Sequence, residues 1–372
     1  MLPGMEAIEQ WLTLIRAPGL HIDLLRPYPE LLAHPPALLS LAPEALRALE
    51  LPAAATRWLR APDTARVASD LRWFEASHCR LLVWGSEDYP PLLAATPSAP
   101  LALFVRGEPA ILLSVQLAMV GSRNPTAGAR RDAGEFATAF AQAGLTITSG
   151  LALGIDAASH EGALNGGRTI AVLGTGLDEI YPAENRALAD RILAQAGALV
   201  SEFPPGTVPL PQNFPRRNRL ISGLTIATLV IEAAQHSGSL ITARLAAAQG
   251  RDVFALPGSI HNPLSRGCHR LIRAGAALVE TPAEVLSHLN IPFIEQTLRN
   301  IAQPLVSGSG GEPRLDKDYK ILLDALGFDP VSIDALVDRT GLPSQSLASM
   351  LLILELEGRV GMHPGGRYVQ RS

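Results

Sequence analysis

The chain reads as an α/β protein built on a doubly wound parallel sheet, with a small helical region ahead of it and a winged helix behind it. Three observations carry that reading. Between residues 117 and 256, apolar runs of about five residues alternate with stretches of helical period. Such alternation calls for parallel pairing through right-handed crossovers. Four of the runs lead directly into a glycine turn: Gly121-Ser122-Arg123, Ser149-Gly150, Gly174-Thr175-Gly176 and Ser237-Gly238-Ser239. A chain of 372 residues with 47% hydrophobic content and mean hydropathy +0.19 also has enough apolar mass for two or three folded domains.

Taken in order, residues 1–72 carry short helical segments broken by proline, EAIEQWLTLIRA, DLLRPYPELLAH and PEALRALELP, which make a small helical domain. Within it, Arg16-Ala17-Pro18-Gly19-Leu20 is either a plain helix connection or a hairpin that meets a phosphate backbone. Residues 81–107 mix apolar runs with Tyr89-Pro90-Pro91 and the prolines at 97 and 100, an irregular lead-in ending in a strand at 101–106. Strands are then predicted at 117–121, 145–149, 169–174, 198–202, 225–233 and 252–256. Helices fall at 126–143, 155–165, 186–196, from Pro215 onward and at 240–249, and one near 283–289 closes the core. The segment QPLVSGSGGEPR at 303–314 has linker composition. Helices at 319–326, 332–340 and 345–357, the turn Gly341-Leu342-Pro343 and a wing at 359–370 around Gly365-Gly366 describe a winged helix-turn-helix. Domains are therefore expected at 1–72, 73–302 and 315–372, with the linker between the last two.

In open α/β sheets, ligands sit beyond the carboxyl ends of the strands, so the four glycine turns should line one crevice. The densest chemistry faces it from residues 213–258. Proline suits the first position of a helix, which places Pro215 there and crowds Arg216, Arg217 and Arg219 into the first turn. Cations at that end oppose the helix dipole unless an anion neutralises both. Ser237-Gly238-Ser239 opens the next helix, where free N–H groups and two hydroxyls form an anion cradle. Singly, a serine before a helix is an N-cap and clustered arginines are a solvated face. Together they point to an anion site.

Other classes are excluded or weakened. A net charge of −4 and a pI near 6.2 leave no generally basic surface, so any nucleic acid must meet a local patch. All but two of the 31 basic residues, Lys317 and Lys320, are arginine, whose planar fork suits phosphate. Cys79 and Cys268 are too few for a metal site or a disulfide framework, which agrees with a reducing cytoplasm. Glu6 and Glu9 stand where a signal peptide carries basic residues, and no apolar run reaches the roughly 18 residues of a membrane helix. GxxxxGK[ST] is absent, and Gly174-x-Gly176-x-x-Glu179 lacks the third glycine of a dinucleotide fingerprint, so no cofactor is expected. Asp156 and His160, at i and i+4, read as either an acid/base pair with Glu232 nearby or a structural ion pair.

The runs GSRNPTAGA, SGLALGIDAASHEGAL, TIAVLGTGLDEIYPAEN, SEFPPG, FPRRNRLISGL, SGSLITARLA, FALPGS and RGCHRLIRAGA follow one another in an order and spacing that resembles the DNA-processing family DprA, also called Smf. The resemblance is densest over residues 117–279 and weakest over 1–72. It implies an extended Rossmann-like core that dimerises, without catalytic activity, in a bacterial cytoplasm. The implied task is to bind and shield single-stranded DNA and to load the RecA recombinase in natural transformation. Carried over residue by residue, it implies phosphate contacts at Ser122 and Arg123 and a groove floor at Gly150 and Leu151. It implies further contacts at Asn185 and Arg186, at Phe214, Arg216, Arg217 and Asn218, and at Ser237, Gly238 and Ser239. Ala183 and Glu184 stand where the family often has a basic residue. A single-strand binder needs a cationic track and an aromatic platform, and Phe214 is the aromatic best placed for it. Leu271 and Ile272, on a helix at 268–274 followed by 276–279, are the candidate dimer surface, near the implied recombinase contact. Glu355 and Glu357 oppose a major-groove role for the third helix of the winged domain, which favours a protein-interaction or regulatory module. Two other readings stay open: a nucleotide-processing enzyme of the lysine-decarboxylase-like Rossmann group, for which Pro257-Gly258-Ser259 begins but does not complete the signature, and a winged-helix transcription regulator.

Overall fold

The computed structural model describes residues 5–290 and, in the C-terminal region, parts of 322–370. Two compact units are present, Met1–Pro304 and Leu305–Ser372. The first is organised by a nine-stranded sheet of β1 (Arg80–Val83), β2 (Ala102–Gly107), β3 (Gln116–Val120), β4 (Thr146–Ser149), β5 (Thr169–Val172), β6 (Ala198–Ser201), β7 (Ala227–Val230), β8 (Asp252–Ala255) and β9 (Ala277–Leu278). Their order across the sheet is β1-β2-β6-β5-β4-β3-β7-β8-β9. From β3 the chain steps outward to β4, β5 and β6, then returns beside β3 as β7 and steps the other way. That reversal places the topological switch between β3 and β7, where open α/β sheets bind their ligands.

The seven strands β3 to β9 pair in parallel with one another. Residues 81–107 depart from the irregular lead-in expected of them. β1 pairs antiparallel with β2, and β2 with β6, so this segment supplies an antiparallel edge. Its prolines lie outside the strands, where no ladder N–H is lost. Strand side chains alternate between two covered faces. Leu117, Met119, Ala227, Leu229 and Phe254 pack under the helices Ala127–Gln142, Ile155–Leu164 and Pro282–Leu289. Ala118, Val120, Val230 and Ala255 pack under Asn213–Leu224, Ser239–Ala248 and Arg266–Arg273. Burial on both faces is why these strands read as continuous apolar runs.

The N-terminal helices Met5–Ile15, Ala53–Arg60 and Thr64–Ala76, with shorter turns between them, share an apolar cluster with Phe104, Leu173, Leu188 and Leu199 of the sheet layer. Arg16 is not a phosphate-binding hairpin residue. Its guanidinium forms a buried ion pair with Asp70, with Nη2 2.7 Å from Oδ1, and donates to the Pro205 carbonyl at 2.8 Å.

The second unit holds β10 (Val331–Ser332), β11 (Val360–His363) and β12 (Arg367–Gln370) in the antiparallel order β10-β12-β11. The Ser332 hydroxyl caps the Ile333–Thr340 helix by accepting from the Ala335 N–H, and Gly341 ends it at φ +69°. Leu322, Leu336, Leu347, Leu351 and Leu354 form its core. The linker at 303–314, the wing tip at Gly365-Gly366, and Glu355 and Glu357 lie outside the described residues.

The helices Ala127–Gln142 and Ile155–Leu164 pack tightly where Gly162 meets Gly134. A Cβ on Gly162 would lie far inside van der Waals contact with the Gly134 carbonyl oxygen, whereas one on Gly134 would find only the Ala158 oxygen, at 3.9 Å. Gly162→Ala is therefore expected to destabilise by about 1–3 kcal/mol through overpacking, a loss of several degrees in Tm. Gly134→Ala should be neutral or slightly stabilising, since alanine favours helix. Thermal melts showing equal effects would mean that the two helices slide apart freely.

Candidate functional site

A groove of about 750 Å³ opens at the switch point. Gly121-Ser122-Arg123, following β3, and His236 to Ser239, following β7, line it together. Phe214 and Asn218 project into it from the Asn213–Leu224 helix, and Tyr181, Pro209 and Pro211 complete the lining. The turns after β3 and β7 meet because they end neighbouring parallel strands, and the Ser122 N–H donates to the Glu232 carbonyl at 2.7 Å.

The arginine helix starts two residues earlier than its proline indicates. Asn213 is its first residue and Pro215 its third, a site proline tolerates because none of the first four N–H groups has an intrahelical partner. Arg217 and Arg219 therefore fall in the second turn, beyond the strongest part of the dipole. Helical spacing then separates the arginines. Positions 214, 217, 218 and 221 line the groove, an i, i+3, i+4, i+7 face. Arg216 and Arg219 turn the other way and share the buried carboxylate of Glu202, with Arg216 Nη2 2.9 Å from Oε2. The Arg216 side chain remains 58% exposed and lies 5.1 Å over the Phe203 ring.

Arg217 is 4% exposed. Its Nη1 donates to the Gly150 carbonyl at 2.7 Å and to the Val172 carbonyl, joining the carboxyl ends of β4 and β5 from beneath the groove. A side chain at Gly150 has no room there, since a Cβ would stand 2.6 Å from the guanidinium. Burial pulls the Arg217 pKa down to about 10, partly offset by the negative charge of Asp156. Arg217 thus remains a cation near neutral pH.

Asp156 and His160 do not pair with each other. The Asp156 carboxylate accepts from the Gly150 and Ala152 N–H groups at 3.1 and 3.4 Å, and burial raises its pKa against the pull of Arg217. His160 Nδ1 lies 2.7 Å from the Thr169 hydroxyl, whose own proton goes to the Ile147 carbonyl. The imidazole is therefore the donor and carries its proton on Nδ1. Burial first, then Arg217, lower its pKa to about 3. Glu232 is also occupied, accepting from the Thr126 N–H and hydroxyl at 2.9 and 3.0 Å and from Asn262 at 3.3 Å. All three groups serve as structural supports. Among the described residues, no cluster of three or more His, Cys, Asp or Glu has the geometry to hold a metal ion.

Sequence comparison places this architecture. A family model described as DNA recombination-mediator protein A matches residues 80–290, and one described as DprA winged helix domain matches residues 309–366. Protein Smf of Escherichia coli is 44% identical over 324 residues, 84% of this chain and 83% of that protein. The chain belongs to the DprA (Smf) family. The X-ray structure of DprA from Streptococcus pneumoniae superposes with a TM-score of 0.66 at 35% identity, covering 77% of this chain and 98% of that one. DNA processing protein A from Helicobacter pylori, whose structure is described for its single-stranded DNA binding mode, gives 0.51 at 28% identity, covering 60% and 98%.

Of the positions that the DprA motifs single out, Ser122, Arg123, Phe214, Arg217, Asn218, Ser237, Gly238 and Ser239 meet at the groove. Arg123 is exposed and stands 5.6 Å over the Phe214 ring. The hydroxyls of Ser237 and Ser239 are 2.7 Å apart, and the N–H groups of Leu240 and Ile241 already bond to the carbonyls of Ser237 and Gly238. The turn after β7 therefore offers its hydroxyls and the Gly238 amide, a smaller cradle than a fully open helix start. Gly150 and Leu151 lie beneath the groove wall, Leu151 fully buried at φ +56°. Asn185 is buried as well, donating to the Leu151 carbonyl at 2.8 Å, while Arg186 is exposed at the start of the Arg186–Ala194 helix. None of these four lines the groove. Leu271 and Ile272 are half-buried and pack against the apolar layer under Arg266–Arg273. Sequence reasoning missed Tyr181 and His236 as groove residues. Tyr181 was readable as an aromatic in the turn after β5, but only the fold brings it beside Phe214.

Arg217→Met should remove both carbonyl bonds and the positive charge that faces the buried Asp156 carboxylate, costing roughly 3 kcal/mol or more in urea denaturation. Arg123→Ala, at an exposed position, should leave stability within about 0.5 kcal/mol. A stable Arg217→Met protein would show that water replaces the guanidinium.

Proposed function

We propose that this protein binds single-stranded DNA in the switch-point groove, shields incoming strands, and loads the RecA recombinase onto them in natural transformation and recombination. It acts in the cytoplasm as a homodimer and without catalytic chemistry of its own. The observation that carries the reading is the exposed guanidinium of Arg123 held over an aromatic ring, in one groove with a turn of hydroxyls and a free amide. A cation and hydrogen-bond donors beside aromatic surface are what a sequence-tolerant strand binder needs. Arg217 adds a fixed charge from below, and the exposed Arg186 and Arg216 extend the cationic path beyond the groove. The relative from Helicobacter pylori described for binding single strands supports the same reading. The structural roles of Asp156, His160 and Glu232 support binding over catalysis. Among the described residues no helix is long and apolar enough to cross a membrane. The winged helix is proposed as a partner-binding module.

In a mobility comparison the protein should prefer single-stranded over duplex DNA. Arg123→Ala should weaken single-strand binding and reduce the slope of log K against log salt by about 0.7, the release expected for one phosphate contact. An unchanged slope in the salt titration would remove Arg123 from the site.

The homodimer is proposed to form through the β9 edge and the Arg266–Arg273 helix, which carries Leu271 and Ile272. β9 is the terminal strand of the sheet, and Leu278 on it is 48% exposed. An open edge with an exposed leucine is a ready template for a second copy. Tethering two grooves raises effective concentration and multiplies avidity by about 100 or more. Leu278→Glu should give a folded monomer by light scattering that binds long single strands weakly and fails to stimulate RecA filament formation. A dimeric variant, or a monomer with full loading, would refute this arrangement.

A further inference from the structure

The groove lining combines two kinds of chemistry. The turns after β3 and β7 supply donors: the Arg123 guanidinium, the Gly238 amide and the hydroxyls of Ser237 and Ser239. Rings supply the rest of the contrast, Tyr181, Pro209, Pro211, Phe214 and Pro215, with Arg123 standing directly over Phe214. A nucleotide combines matching parts, an anionic backbone and a flat, largely apolar base.

Among those rings the two aromatics are not equivalent. Phe214 is half-buried and engaged on several sides. The Gly174 backbone lies so close that a Cβ there would stand 2.9 Å from Phe214 Cδ1; Arg123 Cζ is 5.6 Å from its centroid, and the Tyr181 ring lies at 5.6 Å and 42°. Tyr181 is braced by Phe214 on one side and is 43% exposed. A large aromatic left this open at the mouth of a groove, supported from behind by a fixed ring, is a surface made for stacking.

We propose that Tyr181 is a nucleobase-stacking residue, the outer platform of the strand track. Phe214 serves as the wedge that fixes its angle, and Arg123 takes the phosphate of a neighbouring nucleotide. The assignment rests on the single-strand reading above and adds a contact that the arginine and glycine motifs do not contain. Stacking accepts any base, because each has a π-face, so Tyr181 adds affinity without sequence preference.

The test is a titration of the full-length protein with a single-stranded oligonucleotide carrying 2-aminopurine, and with the same strand made abasic at its central positions. Tyr181→Phe should bind the base-bearing strand within about twofold of wild type, and Tyr181→Leu should lose about fivefold or more, the scale of one lost stack. The salt slope should not change, since no charge is removed. On the abasic strand wild type and Tyr181→Leu should bind alike, a convergence that a purely structural role for Tyr181 would not produce. Equal affinities on the base-bearing strand, or a defect that persists on the abasic one, would overturn the proposal. A wild-type protein that binds neither strand would overturn the single-strand reading itself, and this assignment with it.

Discussion

The geometry of the groove depends on one buried cation. Arg217 bridges the carboxyl ends of β4 and β5 through the carbonyls of Gly150 and Val172, and an unsatisfied guanidinium at that depth would cost several kcal/mol. The helix that carries it is thereby fixed in rotation. Phe214 and Asn218, three residues before and one after, must then face the crevice. The same charge holds Asp156 and opposes protonation of His160, so the floor of the groove keeps a positive charge. In a chain of net charge −4, local placement of this kind is how a phosphate-attracting surface arises.

The rim is held from outside. The segment after β6 contributes Glu202, which gathers Arg216 and Arg219, and Pro205, whose carbonyl receives Arg16 from the N-terminal helices. Arg219 also donates to the Ser98 carbonyl at 2.6 Å, tying the arginine helix to the lead-in segment. The loop that carries Pro209 and Pro211 to the groove mouth thus leaves from an anchored base. The helical N-terminal layer and the sheet share one apolar cluster, so the rim depends on both.

A pattern with two meanings in the sequence acquired one in the fold. Asp156 and His160 sit one helical turn apart, the spacing of an ion pair or of an acid and a base. Burial decided against both, because each found a nearer fixed partner: backbone amides for the carboxylate, and Thr169 on β5 for the imidazole. Glu232 went the same way, into a cap for the turn that precedes Ala127–Gln142. Low dielectric rewards satisfied hydrogen bonds over exposed charge, and all three groups are buried.

By itself the sequence determined the parallel α/β core, the glycine turns at its carboxyl edge, the winged helix and the family. These rest on local signals: strand runs buried on both faces, turn glycines, and the order of the motifs. It also named eight of the residues that meet at the groove. Tertiary structure alone decided which arginine does what. Arg216, Arg217 and Arg219 look alike in the chain, but a rotation of about 100° per residue sends Arg217 under the groove and the others to Glu202. The antiparallel pairing of β2 with β6 and the pairing of Tyr181 with Phe214 were likewise invisible. Both arise between segments far apart in sequence, and no local propensity encodes which distant surface a side chain will meet.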